Sequence, residues 1–330
     1  MLRSETAASP ERRAAALNGL RRYQEAPRRQ WEGGGAILAR TGRASLRGYG
    51  RGNGTPVVFI PSLINPPFVL DLAPGASLLQ WLADRGINAM LVDWGTPTPA
   101  EAERDITGHV EELLVPLLRT ISQPPVLVGY CLGGTMALAA ATMLPARGVA
   151  LLAAPWHFAG FAATARRDVA ALWRQARLAC EQLGLVPMEV LQTGFWHLDP
   201  ARTIAKFEAL AGACAAELAT FVALEDWANG GAPLTLAAGR DLFERFFAAD
   251  DPGQGAWRVG GRAVDPSALP CPIVDFVSTR DRIVPADTRL RAADTRYVDA
   301  GHVGMVVGSR AQSLLWQPLA DWLAARIAPT

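Results

Sequence analysis

Cys131 lies in a pattern whose residue types suit a nucleophile. Glycines stand two positions before and two positions after it, in the stretch Gly129-Tyr-Cys-Leu-Gly133. The preceding run, Val126-Leu-Val, is typical of a buried strand, and the following residues are good helix formers. This order predicts a strand, a sharp turn and a helix, which is a nucleophile elbow with cysteine in the place of serine. The alternative is a small cysteine buried in the core.

A turn of this kind would place two hydrogen-bond donors beside the sulfur. The N-terminus of the helix favours the thiolate, and the Leu132 N–H is a candidate donor to an oxyanion. The second donor is expected from the loop that follows the first central strand, Pro61-Ser-Leu-Ile. Proline has no N–H, so Ser62 or Leu63 must supply this donor, and we favour Leu63.

A cysteine nucleophile also needs a base, and the base needs an acid that orients it. With a nucleophile elbow, the order along the chain is nucleophile, acid and histidine. Asp281 and His302 fit this order, and each follows a predicted strand directly. We predict that His302 is the base; the alternative is that His302 is only a histidine of a surface loop. We predict that Asp281 is the acid, and Asp93 is the rival candidate for that role. The remaining histidines fit the role of base less well: His109, His157 and His197.

The elements that must position these residues alternate between strands and helices. Apolar runs predict strands, and apolar residues at helical spacing predict helices. The predicted strands are residues 57–60, 88–94, 126–129, 149–154, 272–278 and 295–299. The predicted helices are residues 10–23, 75–85, 105–121 and 311–327, besides the helix after Cys131. Alternation of this kind implies a mostly parallel sheet with helices on both faces.

The alternation stops between residues 156 and 269, which are helical in pattern and hold five of the ten tryptophans. We predict that this segment is a lid inserted above the carboxyl ends of the strands, where open α/β sheets bind ligands. A rigid helical subdomain that only shapes an acyl pocket is the alternative. The predicted organisation is a helical arm at 1–45, a core at 46–155 and 270–330, and a lid at 156–269.

Composition excludes some classes of function. The formal charge is +1 over 330 residues, so nucleic-acid binding has no electrostatic support. Residues 1–51 hold eleven arginines and four glutamates, which favours a solvated arm over a site for an anionic partner. The four cysteines lack metal-ligand spacing, and we expect neither a metal nor a bound redox cofactor. We find no signal peptide or transmembrane segment, and we expect a cytoplasmic protein.

Several motifs resemble those of the polyhydroxyalkanoate synthases. Gly129-Tyr-Cys-Leu-Gly-Gly-Thr135 is similar to their cysteine lipase box, and Ile64-Asn-Pro-Pro-Phe-Val-Leu-Asp-Leu72 resembles a loop of that family. Further matches stand in family order: Val92-Asp-Trp-Gly-Thr-Pro97, Gly260-Gly-Arg-Ala-Val-Asp265, Ser278-Thr-Arg-Asp-Arg-Ile-Val-Pro285 and Gly301-His-Val303. The resemblance looks closest to the shorter synthases that act with a second subunit. It implies an α/β-hydrolase fold with a helical lid insertion.

The resemblance also implies a reaction. Cys131 would take the acyl group of an (R)-3-hydroxyacyl-CoA and release CoA, and His302 would activate the next hydroxyl for polymerisation. A homodimer or a partner synthase subunit is expected, together with association with polymer granules. By their positions, four side chains are candidate supporting groups around the site: Asn65, Asp71, Tyr130 and His157. For Asn65 and Asp71 the alternative is that they cap their own loop.

The chain departs from the family pattern at two positions. Arg282 stands where the family often has histidine, and His157 stands where it often has an acidic residue. Two alternatives to a polymerase therefore stay open. One is a cysteine hydrolase of acyl thioesters or polyester oligomers, and the other is a non-catalytic subunit associated with granules.

Overall fold

The central element of the structure is one twisted sheet. The structure is a computed structural model that describes residues 2–28, 34–50, 54–198, 200–291 and 293–327, with the backbone alone at 195–198 and 200. Within these residues the strands are β1 (Ala36–Thr41), β2 (Ala44–Gly48), β3 (Pro56–Ile60), β4 (Asn88–Asp93), β5 (Val126–Tyr130), β6 (Gly148–Leu152), β7 (Leu185–Val186), β8 (Leu234–Thr235), β9 (Arg258–Val259), β10 (Arg262–Ala263), β11 (Ile273–Ser278) and β12 (Asp294–Val298). Eight of them form the main sheet, in the order β1-β2-β4-β3-β5-β6-β11-β12.

The helices lie mainly between these strands and in one long insertion. In the described residues the α-helices are α1 (Leu2–Glu5), α2 (Pro10–Glu25), α3 (Leu78–Ala83), α4 (Ile106–Gly108), α5 (Val115–Arg119), α6 (Leu132–Met143), α7 (Ala163–Leu183), α8 (Met188–Leu198), α9 (Pro200–Leu210), α10 (Ala215–Asn229), α11 (Leu236–Arg240), α12 (Gly304–Val307) and α13 (Gln317–Ile327). Three π-helical segments extend neighbouring α-helices, at His109–Leu114, Asp241–Ala248 and Gln312–Trp316. Short 3₁₀ turns occupy Pro67–Leu70, Pro99–Glu101, Phe158–Gly160, Pro266–Ala268 and Ala286–Thr288.

The six strands from β3 to β12 in the main sheet are parallel, as the alternation of elements predicted. Side chains of β3 alternate between the two faces. Val58 and Ile60 join the apolar cluster that contains α5 and α6. Val57 and Phe59 join the cluster on the other face, with α3 and α13. The predicted mostly parallel sheet with helices on both faces is confirmed.

The prediction that residues 1–45 form a helical arm is wrong for the last of these residues, which form strands. Helix α2 agrees with the prediction, but β1 and β2 form an antiparallel hairpin that extends the main sheet through β4. Their two-residue loop begins with Gly42, whose φ is 53°. Glycine at the first position of a two-residue loop is a hairpin signal. The exposed apolar side chains of β1, among them Ile37 and Leu38, hide the alternation that a half-buried strand shows.

The segment from 156 to 269 is helical, as expected. Its described residues add no strand to the main sheet and form only the short pairs β7–β8 and β9–β10. Its described tryptophans are buried, and Trp156, Trp173 and Trp257 belong to the apolar cluster on the α6 face of the sheet. None of the described helices combines the length and apolarity that crossing a membrane requires.

Candidate active site

Cys131 lies at the apex of the turn between β5 and α6. Its backbone has φ 56° and ψ −134°, a conformation that side chains other than glycine rarely adopt. The Cys131 N–H donates to the Leu152 carbonyl of β6 at 3.0 Å, and the Cys131 carbonyl accepts from Gly134 N–H at 2.9 Å. These two bonds hold the strained residue between the sheet and the helix, so its side chain is presented at the carboxyl edge of the sheet.

The glycines that flank Cys131 are required by close approach of the backbone. A Cβ on Gly129 would lie 2.5 Å from Gly134 N and 2.6 Å from the Gly133 carbonyl oxygen. A Cβ on Gly133 would overlap the Ile60 carbonyl oxygen and lie 2.6 Å from that of Pro61. The first turn of α6 therefore packs directly on the end of β3, as the spacing of the glycines predicted.

Asp281 and His302 come together beside Cys131. Asp281 Oδ2 accepts from His302 Nδ1 at 2.6 Å, and Asp281 Oδ1 accepts the N–H groups of Ile283 and Val284, each at 2.8 Å. The Cys131 side chain acts on His302 as well and raises the pKa of its ring. The side chain of His302 is 6% exposed and that of Asp281 is fully buried. The three predicted residues thus form one connected row.

The charges around His302 favour its protonated form. Burial alone would lower the pKa of His302, but the Asp281 carboxylate and the Cys131 thiolate outweigh burial and raise that pKa to about 10. The arrangement therefore favours an imidazolium at His302 beside the Cys131 sulfur. Such a pair can attack an acyl carbon and then return a proton to the leaving group.

Tyr130, a candidate supporting group, contacts the histidine directly. Its ring lies 5.0 Å from the His302 ring, and its hydroxyl donates to the His302 carbonyl oxygen at 3.3 Å. Tyr130 is 2% exposed, and burial, followed by the charges of Cys131 and Asp281, raises the pKa of its phenol. It is therefore a neutral hydrogen-bond donor that packs against the imidazole.

The two candidate oxyanion donors flank the elbow. Leu132 is the first residue of α6, so its N–H has no partner within the helix. Leu63 follows β3, and in the described part of the chain its N–H has no hydrogen-bond partner, whereas the Ile64 N–H donates to Ser62 Oγ at 3.1 Å. We call residues 61–66 the oxyanion loop. Its first residue is held by the Trp94 indole, which donates to the Pro61 carbonyl at 3.0 Å.

Asn65 lies at the end of the oxyanion loop and faces the insertion. Its side-chain amide donates to the carbonyls of Trp227 and Ala228, at 3.4 and 3.3 Å. In return, the Trp227 indole donates to the Pro66 carbonyl at 2.9 Å. The sequence pattern predicts a supporting role for Asn65 but none for Trp94 or Trp227, because the partners of these two tryptophans are far away along the chain.

Asp71 serves a neighbouring segment instead of the row of Cys131, His302 and Asp281. Its Oδ2 accepts the Tyr49 hydroxyl at 3.0 Å and the Gly34 N–H at 3.1 Å. Burial, followed by the charge of Asp71, raises the pKa of Tyr49. Asp93, the rival acid, bonds Arg47 at 3.1 Å and the Gly95 N–H at 3.1 Å, and so completes its own loop.

His157 lines a separate cavity of about 640 Å³, together with Asp250, Asp287, Arg289 and Arg291. Burial, followed by the charge of Arg291, lowers the pKa of His157. Its backbone N–H donates to the Thr288 carbonyl at 2.9 Å. His157 therefore lies in the wall of this separate cavity.

The other two histidines are not brought to the site. His109 is buried and accepts from Arg43, and burial lowers its pKa to about 3. The side chain of His197 lies outside the described residues. Across the described ranges, no group of three or more His, Cys, Asp or Glu side chains is arranged to hold a metal ion.

Comparison with known proteins points to one family and one fold. Residues 46–314 match the description "Alpha/beta hydrolase family". The chain is 28% identical over 291 residues to a poly(3-hydroxyalkanoate) polymerase subunit PhaC of Haloferax mediterranei, which covers 82% of this chain but only 59% of that protein. It is 25% identical over 294 residues to the PhaC subunit of Synechocystis sp., covering 82% and 78% of the two chains.

A solved structure shares the fold. The monoacylglycerol lipase of Paleococcus ferrophilus is 12% identical, with a TM-score of 0.52, and the match covers 86% of this chain and 99% of that one. Identity at this level is evidence of the fold alone. The relatives confirm the resemblance that the motifs predicted, although the chain spans about three fifths of the length of the haloarchaeal polymerase subunit.

Proposed function

Because the chain belongs to the alpha/beta hydrolase family, we propose that it is an acyltransferase that builds a polyester from (R)-3-hydroxyacyl-CoA through a thioester on Cys131. The observation that carries this proposal is a cysteine at the strained elbow, whose side chain acts on a buried, hydrogen-bonded His302–Asp281 pair, in a chain whose relatives are polymerase subunits. A thiolate suits this chemistry because it attacks thioesters readily and the CoA thiol is a good leaving group.

The first half-reaction forms the acyl-enzyme. With the proton held at His302 Nε2, the Cys131 sulfur attacks the thioester carbonyl carbon as the thiolate. The N–H groups of Leu132 and Leu63 stabilise the oxyanion. When the intermediate collapses, the bond between carbon and the CoA sulfur breaks, and the imidazolium returns its proton to the departing thiolate. The products are acyl-Cys131 and free CoA.

The second half-reaction transfers the acyl group. Neutral His302 removes the proton from the hydroxyl of another hydroxyacyl unit, whose oxygen attacks the acyl-Cys131 carbonyl. The Cys131 thiolate leaves, and a new ester bond has formed. Asp281 holds Nδ1 of the ring and balances the imidazolium charge. The near-complete burial of His302 and Asp281 supports transfer to a hydroxyl, because polymerisation requires the exclusion of water.

Incubation with (R)-3-hydroxybutyryl-CoA tests the proposal. We expect release of CoA thiol together with insoluble polyester, and neither in the matched variant Cys131→Ala. Release of CoA with free hydroxy acid instead would identify a hydrolase. Absence of CoA release, with and without candidate partner subunits, would contradict an enzymatic role and favour a non-catalytic subunit.

Assembly and location follow from the same proposal. We propose that the chain acts as a homodimer or with a partner synthase subunit, in the cytoplasm and at the surface of polymer granules. Relatives that are polymerase subunits support a multi-subunit enzyme. Light scattering of the purified chain, with and without a candidate partner, tests the assembly. A monomer that elongates polymer at full rate without a partner would contradict it.

A further inference from the structure

We infer that Asn65 and Trp227 are positioning residues that link helix α10 to the oxyanion loop, so that the loop reaches its reactive position only while α10 is seated. The inference rests on the proposed function for the identity of the reaction. It concerns a contact between the insertion and the core that joins two segments about 160 residues apart in the chain.

The contact consists of reciprocal hydrogen bonds. Trp227 and Ala228 lie in the last turn of α10, where carbonyls have no partner within the helix. The Asn65 amide donates to both carbonyls and thereby caps α10. The Trp227 indole donates in the opposite direction, to Pro66. Just beyond α10, a Cβ on Gly231 would lie 2.7 Å from the Ile64 carbonyl oxygen, so the two backbones are also in close contact.

Burial makes this contact stabilising. Trp227 is 5% exposed and belongs to the apolar cluster that contains Tyr130 and against which Cys131 packs. If α10 moved away, Trp227 would become exposed and the polar groups of the contact would lose their partners until water replaced them. The seated position of α10 is therefore favoured in this structure.

The oxyanion loop is held at both of its ends. Trp94 fixes the Pro61 carbonyl to the core, and Trp227 fixes the Pro66 carbonyl to the insertion. Leu63, the candidate oxyanion donor, lies between the two anchors. Release of the second anchor would free the loop on one side. A displaced N–H loses much of its stabilisation of the oxyanion, because that stabilisation depends on a preorganised donor.

The variant Trp227→Phe tests this link because it keeps an apolar ring but removes the indole donor, together with part of the ring volume. We expect the acylation rate of Cys131 by p-nitrophenyl acetate to fall about ten-fold, a fraction of the loss of a whole oxyanion donor. We also expect a bulky thiol reagent to label Cys131 faster, because α10 is seated less firmly. A role in stability alone would not move the two rates in opposite directions.

Trp257→Phe is the matched control. Trp257 lies in the same insertion, and its indole donates to Thr107 Oγ1 at 2.9 Å instead of to the oxyanion loop. We expect a comparable loss of stability with both rates unchanged. Asn65→Ala should resemble Trp227→Phe, and the double variant should be less impaired than the product of the two single effects, because both remove one contact.

The outcomes separate this inference from the proposed function. Acylation and labelling rates equal to those of the wild type in Trp227→Phe, or independent effects in the double variant, would overturn the link whether or not polymer is made. If the wild-type chain is acylated by the ester but releases no CoA from hydroxybutyryl-CoA, the proposed function is contradicted. The link would still be tested, and could be supported, by the rates of acylation and of labelling of Cys131.

Discussion

At the scale of single residues, the reactivity that we propose for Cys131 depends on the turn that carries it and on the groups beside it. The turn gives Cys131 a strained backbone, the first residue of α6 is the proposed N–H donor, and His302 is the proposed carrier of the proton. The buried Asp281 carboxylate holds the ring of His302 with one oxygen and is itself held by two backbone N–H groups. The side chains of Cys131, His302 and Asp281 can be changed separately, and each change predicts a different kinetic result.

Removal of the sulfur should abolish acylation. Cys131→Ala should reduce CoA release from hydroxyacyl-CoA by about three orders of magnitude or more, as nucleophile deletions do. Cys131→Ser should retain little activity, because a hydroxyl is far less acidic than a thiol. Circular dichroism should show both variants folded. Turnover near the wild-type rate in Cys131→Ala would rule out this nucleophile.

Substitutions of His302 and of Asp281 should affect the two half-reactions to different extents. His302→Ala should slow both acylation and transfer, because the ring exchanges a proton in each. Asp281→Asn should slow acylation less than transfer, since a thiol needs less help than the deprotonation of a hydroxyl. Intact mass spectrometry should then show acyl-Cys131 accumulating in Asp281→Asn. Equal losses in the two half-reactions, without a covalent adduct, would contradict these roles.

The raised pKa of His302, about 10, also predicts how stability depends on pH. The folded state holds the proton more tightly than the unfolded state, in which the pKa is about 6.5. The contribution to the free energy of unfolding is therefore complete below about pH 6.5, falls as pH rises, and is lost above about pH 10. Denaturant titrations from pH 6 to 10 should show a flatter decline in Asp281→Asn. Parallel curves for the two proteins would contradict the assigned charge pair.

At the scale of elements, the site depends on how closely α6 approaches β3. That approach brings the oxyanion loop against the first turn of the helix, and it is possible only without a side chain at Gly133. Gly133→Ala should lower the free energy of unfolding by about 3 kcal/mol, the upper range for overpacking, because backbone atoms cannot move aside. Gly54→Ala, where a Cβ meets nothing within 4 Å, is the control. Equal unfolding free energies in the two variants would refute the close approach.

At the scale of the whole molecule, helix α2 lies on the insertion. Arg22 donates to the carbonyls of Leu210, Ala211 and Ala213 at 2.5 to 2.9 Å, and so completes the end of α9. The Tyr23 hydroxyl donates to Asp226 of α10 at 2.6 Å. Composition predicted that the arginine-rich first segment is a solvated arm. At least one of its arginines, Arg22, instead caps a helix of the insertion.

Gly19 tests whether this packing is stabilising. Alanine is the better helix former by about 1 kcal/mol, so an isolated α2 would gain stability from Gly19→Ala. In the folded chain the new Cβ would overlap the Phe207 carbonyl oxygen and lie 3.3 Å from Leu210 Cβ. We therefore expect lower stability and faster proteolysis within α9, with the exposed Asn18→Ala as control. A gain in stability for Gly19→Ala would show that α2 is not packed on α9.

Sequence by itself determined the parts of this protein that depend on local pattern and chain order. The glycines around Cys131 and the apolar runs of the parallel strands give signals within a few residues, because strand burial and turn sterics are local. The order of Cys131, Asp281 and His302 is given by the sequence directly. Only the tertiary structure decided which distant groups meet. Asn65 and Trp227 lie about 160 residues apart, and His157 lines a separate cavity. Strand β1 has no buried residue, so no apolar alternation marks it. None of these features is encoded in a local period. Their positions follow from packing, which brings together residues that no spacing rule connects.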